Sequence, residues 1–232
     1  MSETPIEANI AKVLEQVSIA ADRCQRPREE IRVLAVSKTQ SAEAVRRAAA
    51  CGLSEFGENY LQEAESKIPA CADLKLCWHF IGPLQSNKTR AVAAHFSWVH
   101  SVDRGKLLRR LNDQRPDELD ALNICVQVNI SREASKAGVA PGELEELLAL
   151  TDELPRLRLR GLMAIPAPAA DFYAQREPLD ALARLFREAR ARYPSMDTLS
   201  MGMSSDLEAA VASGSTLLRI GTAIFGPRSR AP

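Results

Sequence analysis

Lys38 stands just past a short apolar run, in Val36-Ser37-Lys38-Thr39. An amine held there above low-dielectric strand walls is disfavoured as ammonium, so its pKa falls and a nucleophile able to form a Schiff base becomes available. By position alone the same lysine also reads as a strand-end residue whose stem lies along apolar surface with its charge in water. The last part of the chain bears on that choice. In residues 199–206, Ser204 is placed to cap the helix that follows, offering its hydroxyl and backbone N–H groups to an anion at the positive end of the helix dipole. In residues 218–226, Gly221 allows close approach to the backbone and Thr222 adds a hydroxyl. Together these residues can form a phosphate cup. Strand alternation puts Arg219 on the same face as Gly221. A guanidinium inside a fold needs an acceptor, either a heterocyclic nitrogen of a bound cofactor or a buried carboxylate, for which Asp103 and Glu58 are candidates.

Positioning a lysine from one end of the chain beside residues from the other is a task for the fold. Residues 31–36 are β-branched and apolar, and residues 41–50 have the composition and period of a helix. The same alternation recurs at 55–57 before 60–68, at 78–81 before 87–95, and at 98–101 before 104–114. Residues 122–130 are the most strand-like run and precede a helix starting at Pro141; 157–163 lead through a Pro/Ala-rich loop to a long helix over 172–192. Residues 198–201, a helix over 206–212, and 216–220 complete the series. Eight strands alternating with helices predict an α/β fold, a (β/α)8 TIM barrel, whose active face lies at the carboxyl ends of the strands. No glycine-rich dinucleotide fingerprint follows the first strand, which removes the main signature of an open doubly wound sheet. An amphipathic helix over residues 5–24, within a leading segment 1–26, is expected to cover the bottom or flank of a barrel spanning 31–226, with 1–232 a single domain.

Composition narrows the partners. The 232 residues carry 30 Lys+Arg against 30 Asp+Glu, leaving no overall positive field to hold nucleic acid or an anionic membrane. A 46% hydrophobic and 26% charged composition is that of a globular protein. No apolar stretch approaches the about 18 residues of a membrane span, and MSETPIEANI lacks the features of a signal peptide, so the expected address is the cytoplasm. Cys24, Cys51, Cys71, Cys77 and Cys125 show no Cys-x-x-Cys spacing and are read as reduced packing residues. Three dispersed histidines offer no metal constellation.

On these residues the chain resembles the pyridoxal-phosphate homeostasis proteins, single-domain relatives of the amino-terminal barrel of alanine racemase. The resemblance runs through LAVSKT at 34–39, FGENYLQE at 56–63, WHFIGPLQSNK at 78–88, HSVD at 100–103, SKAG at 135–138, RGLM at 160–163 and the stretch 199–226. It implies that Lys38 holds pyridoxal 5′-phosphate as an internal aldimine. It further implies that Ser204, Gly221 and Thr222 hold the phosphate, and that Arg219 faces the pyridine nitrogen. An arginine there leaves that nitrogen unprotonated and weakens the ring as an electron sink. Asn59 and His79, at the ends of the second and third strands, are candidates to line the ring or its 3-hydroxyl side. Lys136 is either a second amine near the mouth or a solvated loop lysine.

Two functions share such a site. One is a carrier that keeps the reactive aldehyde sequestered and delivers it to client apo-enzymes. The other is an amino-acid racemase, which needs acid/base groups on both faces of the ligand. In alanine racemase one of those groups is a tyrosine from a separate carboxy-terminal domain of the neighbouring subunit. With no such domain after residue 226, the expectation is a non-catalytic, monomeric carrier. A Schiff-base aldolase acting on a sugar phosphate would give Arg219 no role.

Overall fold

The structure is a computed structural model that describes residues 5–131, 133 and 136–226. Ser135 of the SKAG motif lies outside the described residues. Eight parallel strands close into a barrel in strict sequence order: β1 (Arg32–Val36), β2 (Glu55–Glu58), β3 (Cys77–Phe80), β4 (Trp98–Val102), β5 (Leu122–Gln127), β6 (Leu157–Met163), β7 (Thr198–Ser200) and β8 (Leu217–Ile220). The (β/α)8 expectation therefore holds, and β8 returns to pair with β1 in the register Leu34↔Arg219.

Around the barrel run α1 (Ile6–Arg23), α2 (Ala42–Ala50), α3 (Leu61–Ala70), α4 (Thr89–His95), α5 (Gly105–Gln114), α6 (Leu144–Glu153), α7 (Phe172–Arg192), α8 (Leu207–Ala212) and α9 (Thr222–Phe225). Their termini follow local chemistry. The Ser41 side chain accepts the Ala44 N–H at 3.2 Å to start the alanine-rich α2. Asp171 does the same for α7 through Tyr173 and Ala174. The helix expected from Pro141 opens with three residues of 3-10 turn and becomes α-helical at Leu144, since proline suits a first turn but supplies no N–H. The long run at 122–130 leaves the ladder after Gln127↔Met163. Val128 bridges Val139 instead, and a strand can continue only as far as it finds a partner.

The amino-terminal α1 packs on the flank formed by α2, α8 and α9, burying Ile10, Val13, Val17, Ala20 and Ala21. The main core fills the space between strands and helices, with Val33, Ala35, Phe56 and Trp78 pointing outward from the barrel wall. Inside the barrel lie two small clusters, one of Leu34, Val36, Ile81 and Leu217 and one of Trp98, Cys125 and Met163. Gly57 faces this interior, where a side chain would press on Leu34 and Ile81 at 3.1 Å. Gly161 makes the closest approach in the wall, since a Cβ there would sit 1.6 Å from the Thr198 carbonyl oxygen. The five cysteines are unpaired thiols. Burial pushes Cys77 up to about 11 and Cys125 up to about 12, in keeping with packing roles. Among the described residues no helix is long and apolar enough to cross a membrane.

Candidate active site at the carboxyl mouth of the barrel

A cleft of about 430 Å³ opens at the carboxyl ends of the strands. It is lined by Val36 at the end of β1 and Lys38 past it, Asn59 after β2, Ile81 after β3, Ile165 after β6, Met203, Ser204 and Ser205 after β7, and Arg219, Gly221 and Thr222 at the end of β8. Six of the seven residues singled out from the sequence as ligand-binding thus converge in one hollow. Pairing of β1 with β8 is what brings Lys38 beside Arg219, Gly221 and Thr222, because the first and last strands are neighbours in the ring.

The seventh, His79, does not reach the cleft. It is fully buried inside the barrel, stacked on Trp98 with ring centroids 5.2 Å apart, and its Nδ1 lies 2.9 Å from His100 Nε2. The strand expected over 78–81 forms as Cys77–Phe80, so His79 lies within the strand and not past its end, one layer below the mouth. His100 Nδ1 is in turn 2.9 Å from Ser200 Oγ, and Ser200 Oγ accepts from Arg219 Nη1 at 2.9 Å. A continuous polar chain therefore joins His79, His100, Ser200 and Arg219. Burial holds both histidines well below the usual range; the neighbouring His100 adds to the effect on His79, and Arg219 to that on His100. Both are neutral at pH 7, so His100 can give one ring nitrogen as donor and the other as acceptor along the chain, which His79 joins through Nδ1 alone, its buried Nε2 having no partner.

Arg219 is almost fully enclosed, and the carboxylate partners considered for it are engaged elsewhere. Glu58 points outward from β2 to Lys67 Nζ at 2.7 Å, and Asp103 pairs with Arg104. Outward and inward residues alternate along a strand, so a carboxylate next to the inward Gly57 cannot face the barrel axis. The guanidinium instead donates from Nη1 to the Ser200 carbonyl at 2.6 Å and from Nη2 to the Ala164 carbonyl at 2.8 Å. Burial pulls its pKa down to about 10, with Asp206 opposing from a distance. It remains a cation at neutral pH, held by neutral acceptors and directed at the cleft.

The cup differs in detail from the expectation. Ser204 does not cap α8; Asp206 occupies that position, and its Oδ1 accepts the Met203 N–H at 2.6 Å, so the segment turns before the helix begins. Ser204 and Ser205 line the cleft from that turn. Opposite them, Gly221 precedes the first turn of α9, whose leading N–H at Thr222 has no intrahelical acceptor. Hydroxyls of Ser204, Ser205 and Thr222 and the backbone at Gly221 thus line the same cleft. Asn59 adds a buried Oδ1 with no hydrogen-bond partner, an acceptor aligned with the cleft wall. Its backbone sits where only glycine fits at position 82, since a Cβ there would lie 2.1 Å from the Asn59 carbonyl oxygen.

Lys136 Nζ lies 2.8 Å from Glu133 and does not line the cleft, so the second amine is a half-buried, ion-paired loop residue. The inferences drawn from sequence missed Ile81, Ile165, Met203 and Ser205 in the lining, and the Ser200–His100 pair behind Arg219. Strand alternation from Trp98 to His100 was the available signal for that pair. Among the described residues no cluster of His, Cys, Asp or Glu could hold a metal ion.

These features suit pyridoxal 5′-phosphate: an amine for an aldehyde, hydroxyls and N–H groups for a phosphate, a guanidinium for a ring nitrogen, and the orphaned Asn59 oxygen for a ring hydroxyl. Known proteins agree with the architecture. Residues 9–229 match the alanine racemase N-terminal domain family. The pyridoxal phosphate homeostasis protein of Escherichia coli (strain K12) is 55% identical over 226 residues, covering 96% of this chain and 97% of that protein. The protein of the same name from Pseudomonas aeruginosa is 55% identical over 223 residues, covering 96% of each. The structure of PipY from Synechococcus elongatus with PLP bound superposes with a TM-score of 0.81 at 35% identity, covering 95% of this chain and all of that one. Alanine racemase from Corynebacterium glutamicum shares the fold alone, with a TM-score of 0.70 at 16% identity over 96% of this chain and 60% of that one. The chain belongs to the alanine racemase N-terminal domain family, in its group of pyridoxal phosphate homeostasis proteins.

Proposed function

We propose that this chain binds pyridoxal 5′-phosphate at the mouth of the barrel and serves as its non-catalytic, monomeric carrier, delivering it to client apo-enzymes. The observation that carries the reading is the convergence of Lys38, Asn59, Ser204, Arg219, Gly221 and Thr222 in one cleft. When bound, the cofactor supplies an aldehyde carbon with which a lysine amine condenses, releasing water. Lys38 provides that amine. Ser204, Thr222 and the backbone at Gly221 take the phosphate, and Arg219 orients the ring by donating a hydrogen bond. Because arginine does not readily release a proton, the ring nitrogen stays unprotonated and the bound ring is a weak electron sink.

The cleft lining favours a carrier over a racemase. Among the described residues that line the cleft, Lys38 and Arg219 are the only titratable groups, and a racemase needs a proton donor and acceptor on opposite faces of its substrate. The test is spectroscopic. The purified protein is expected to be yellow, and Lys38→Ala to lose the absorbance of the lysine-linked cofactor; a colourless protein that gains no absorbance with added cofactor would overturn the reading. Under saturating cofactor, entry of solvent deuterium at the α-carbon of alanine at ~10 per second, an ordinary enzymatic rate, would favour a racemase instead.

A further inference from the structure

We propose that Glu63 and Lys67, on the outer helix α3, are positioning residues for Lys38: they grip the two peptide groups that flank it and hold a strained turn that aims its amine into the cleft. This rests on Lys38 being the lysine that captures the aldehyde. β1 ends at Val36, and the next three residues must turn the chain while presenting Lys38 inward. The carbonyl of Ser37, on one side of Lys38, accepts from Lys67 Nζ at 2.6 Å. The N–H of Thr39, on the other side, donates to Glu63 Oε2 at 2.6 Å. Glu63 and Lys67 are one helical turn apart and 3.4 Å from each other, so one helix face holds both ends of the lysine's backbone.

That grip has a strain to oppose. Thr39 adopts φ +64°, the left-handed region, in which a β-branched residue is a genuine outlier. Such a conformation persists only where its surroundings enforce it, and the Glu63 carboxylate on the Thr39 N–H does so. The anchor beneath is buried. Ser37 and Glu58 are inaccessible to solvent and Lys67 is 5% exposed. Ser37 Oγ donates to Glu58 Oε1 at 2.7 Å, the same oxygen that receives Lys67 Nζ at 2.7 Å. A buried ion pair is a poor means of adding stability, since apolar residues of similar volume often do as well. An apolar pair could fill the same space behind β2, but it could not bind the Ser37 carbonyl or hold the Thr39 turn. The charges therefore act on the backbone of Lys38.

The experiment compares two ligands of the same cleft. Pyridoxal 5′-phosphate reports covalent capture by Lys38 through its absorbance and rate. Pyridoxamine 5′-phosphate, which has no aldehyde, reports only the phosphate and ring contacts. Glu63→Ala, at a half-exposed position, is expected to slow capture at least tenfold while changing pyridoxamine phosphate affinity less than threefold. Glu63→Gln, which keeps an acceptor for the Thr39 N–H, should recover most of the rate. Thr39→Gly, which removes the strain, should restore capture in the Glu63→Ala background. Lys67→Met provides a second variant with the same expected split between the two ligands. Equal weakening of both ligands, or normal capture in a folded Glu63→Ala protein, would overturn the proposal. Failure of the unaltered protein to capture the aldehyde while binding pyridoxamine phosphate would instead refute the assignment of Lys38.

Discussion

Acid should destabilise this protein earlier than its carboxylates would dictate, and the buried histidine pair sets the slope. His79 and His100 are fully enclosed and held well below their ordinary value of 6.5, so the folded state keeps them neutral where the unfolded chain protonates them. With depressed folded pKa values, their contribution is complete above the unfolded value and is lost as pH falls below it. Each such group removes about 1.4 kcal/mol of unfolding free energy per pH unit, so the pair removes about 2.7 kcal/mol per unit below roughly pH 6. Glu58 acts in the opposite direction. Burial raises its carboxyl pKa, so it takes up a proton in the folded state first, and one group can offset at most about 1.4 kcal/mol per unit. Urea unfolding of the cofactor-free protein at intervals from pH 6.0 to 5.0 is the assay. The slope should fall between about 1.4 and 2.7 kcal/mol per unit, and His79→Phe, which keeps a ring against Trp98, should lower it by about 1.4 whatever the absolute stability. An unchanged slope in His79→Phe would refute the buried neutral pair.

Two further outcomes follow from the barrel interior. Ser200→Ala removes an acceptor from the Arg219 guanidinium and a partner from His100; it should cost about 1.5–3 kcal/mol in urea unfolding and weaken cofactor binding about tenfold, and normal affinity would show that Arg219 is held by the two carbonyls alone. Gly161→Ala would drive a methyl group into the Thr198 carbonyl, parting β6 from β7; it should lower stability by about 4 kcal/mol or more, and a melting temperature within about 2 °C of the unaltered protein would show that the wall can relax.

Much of the mouth was legible from sequence because it depends on strand ends. Lys38, Asn59, Arg219, Gly221 and Thr222 lie at the carboxyl ends of apolar runs, and a barrel collects such ends on one face. What escaped depended on register and on competition between neighbours. His79 lies inside the strand expected over 78–81 as well as inside the observed β3, and an inward-facing residue within a strand points into the barrel and not into its mouth. Its partner is set by how β3 and β4 align, which alternation within one strand does not reveal. Glu58 belongs to the outer wall because Gly57 faces inward, and its lysine lies nine residues on, along a helix. Ser204 and Asp206 are both good capping residues, and the chain uses the second. Local propensity does not separate two candidates two residues apart.

The seam between β1 and β8 also sets an order of events. Lys38 is made early and the Arg219–Thr222 segment late, and the two meet only where the last strand joins the first. During synthesis the lysine therefore exists for some 180 residues without its seat, at about 5–20 residues per second. With the ligand seated as proposed, a newly made chain can hold it only after the ring has closed, and a ligand touching both sides of the seam would fasten the closure it required.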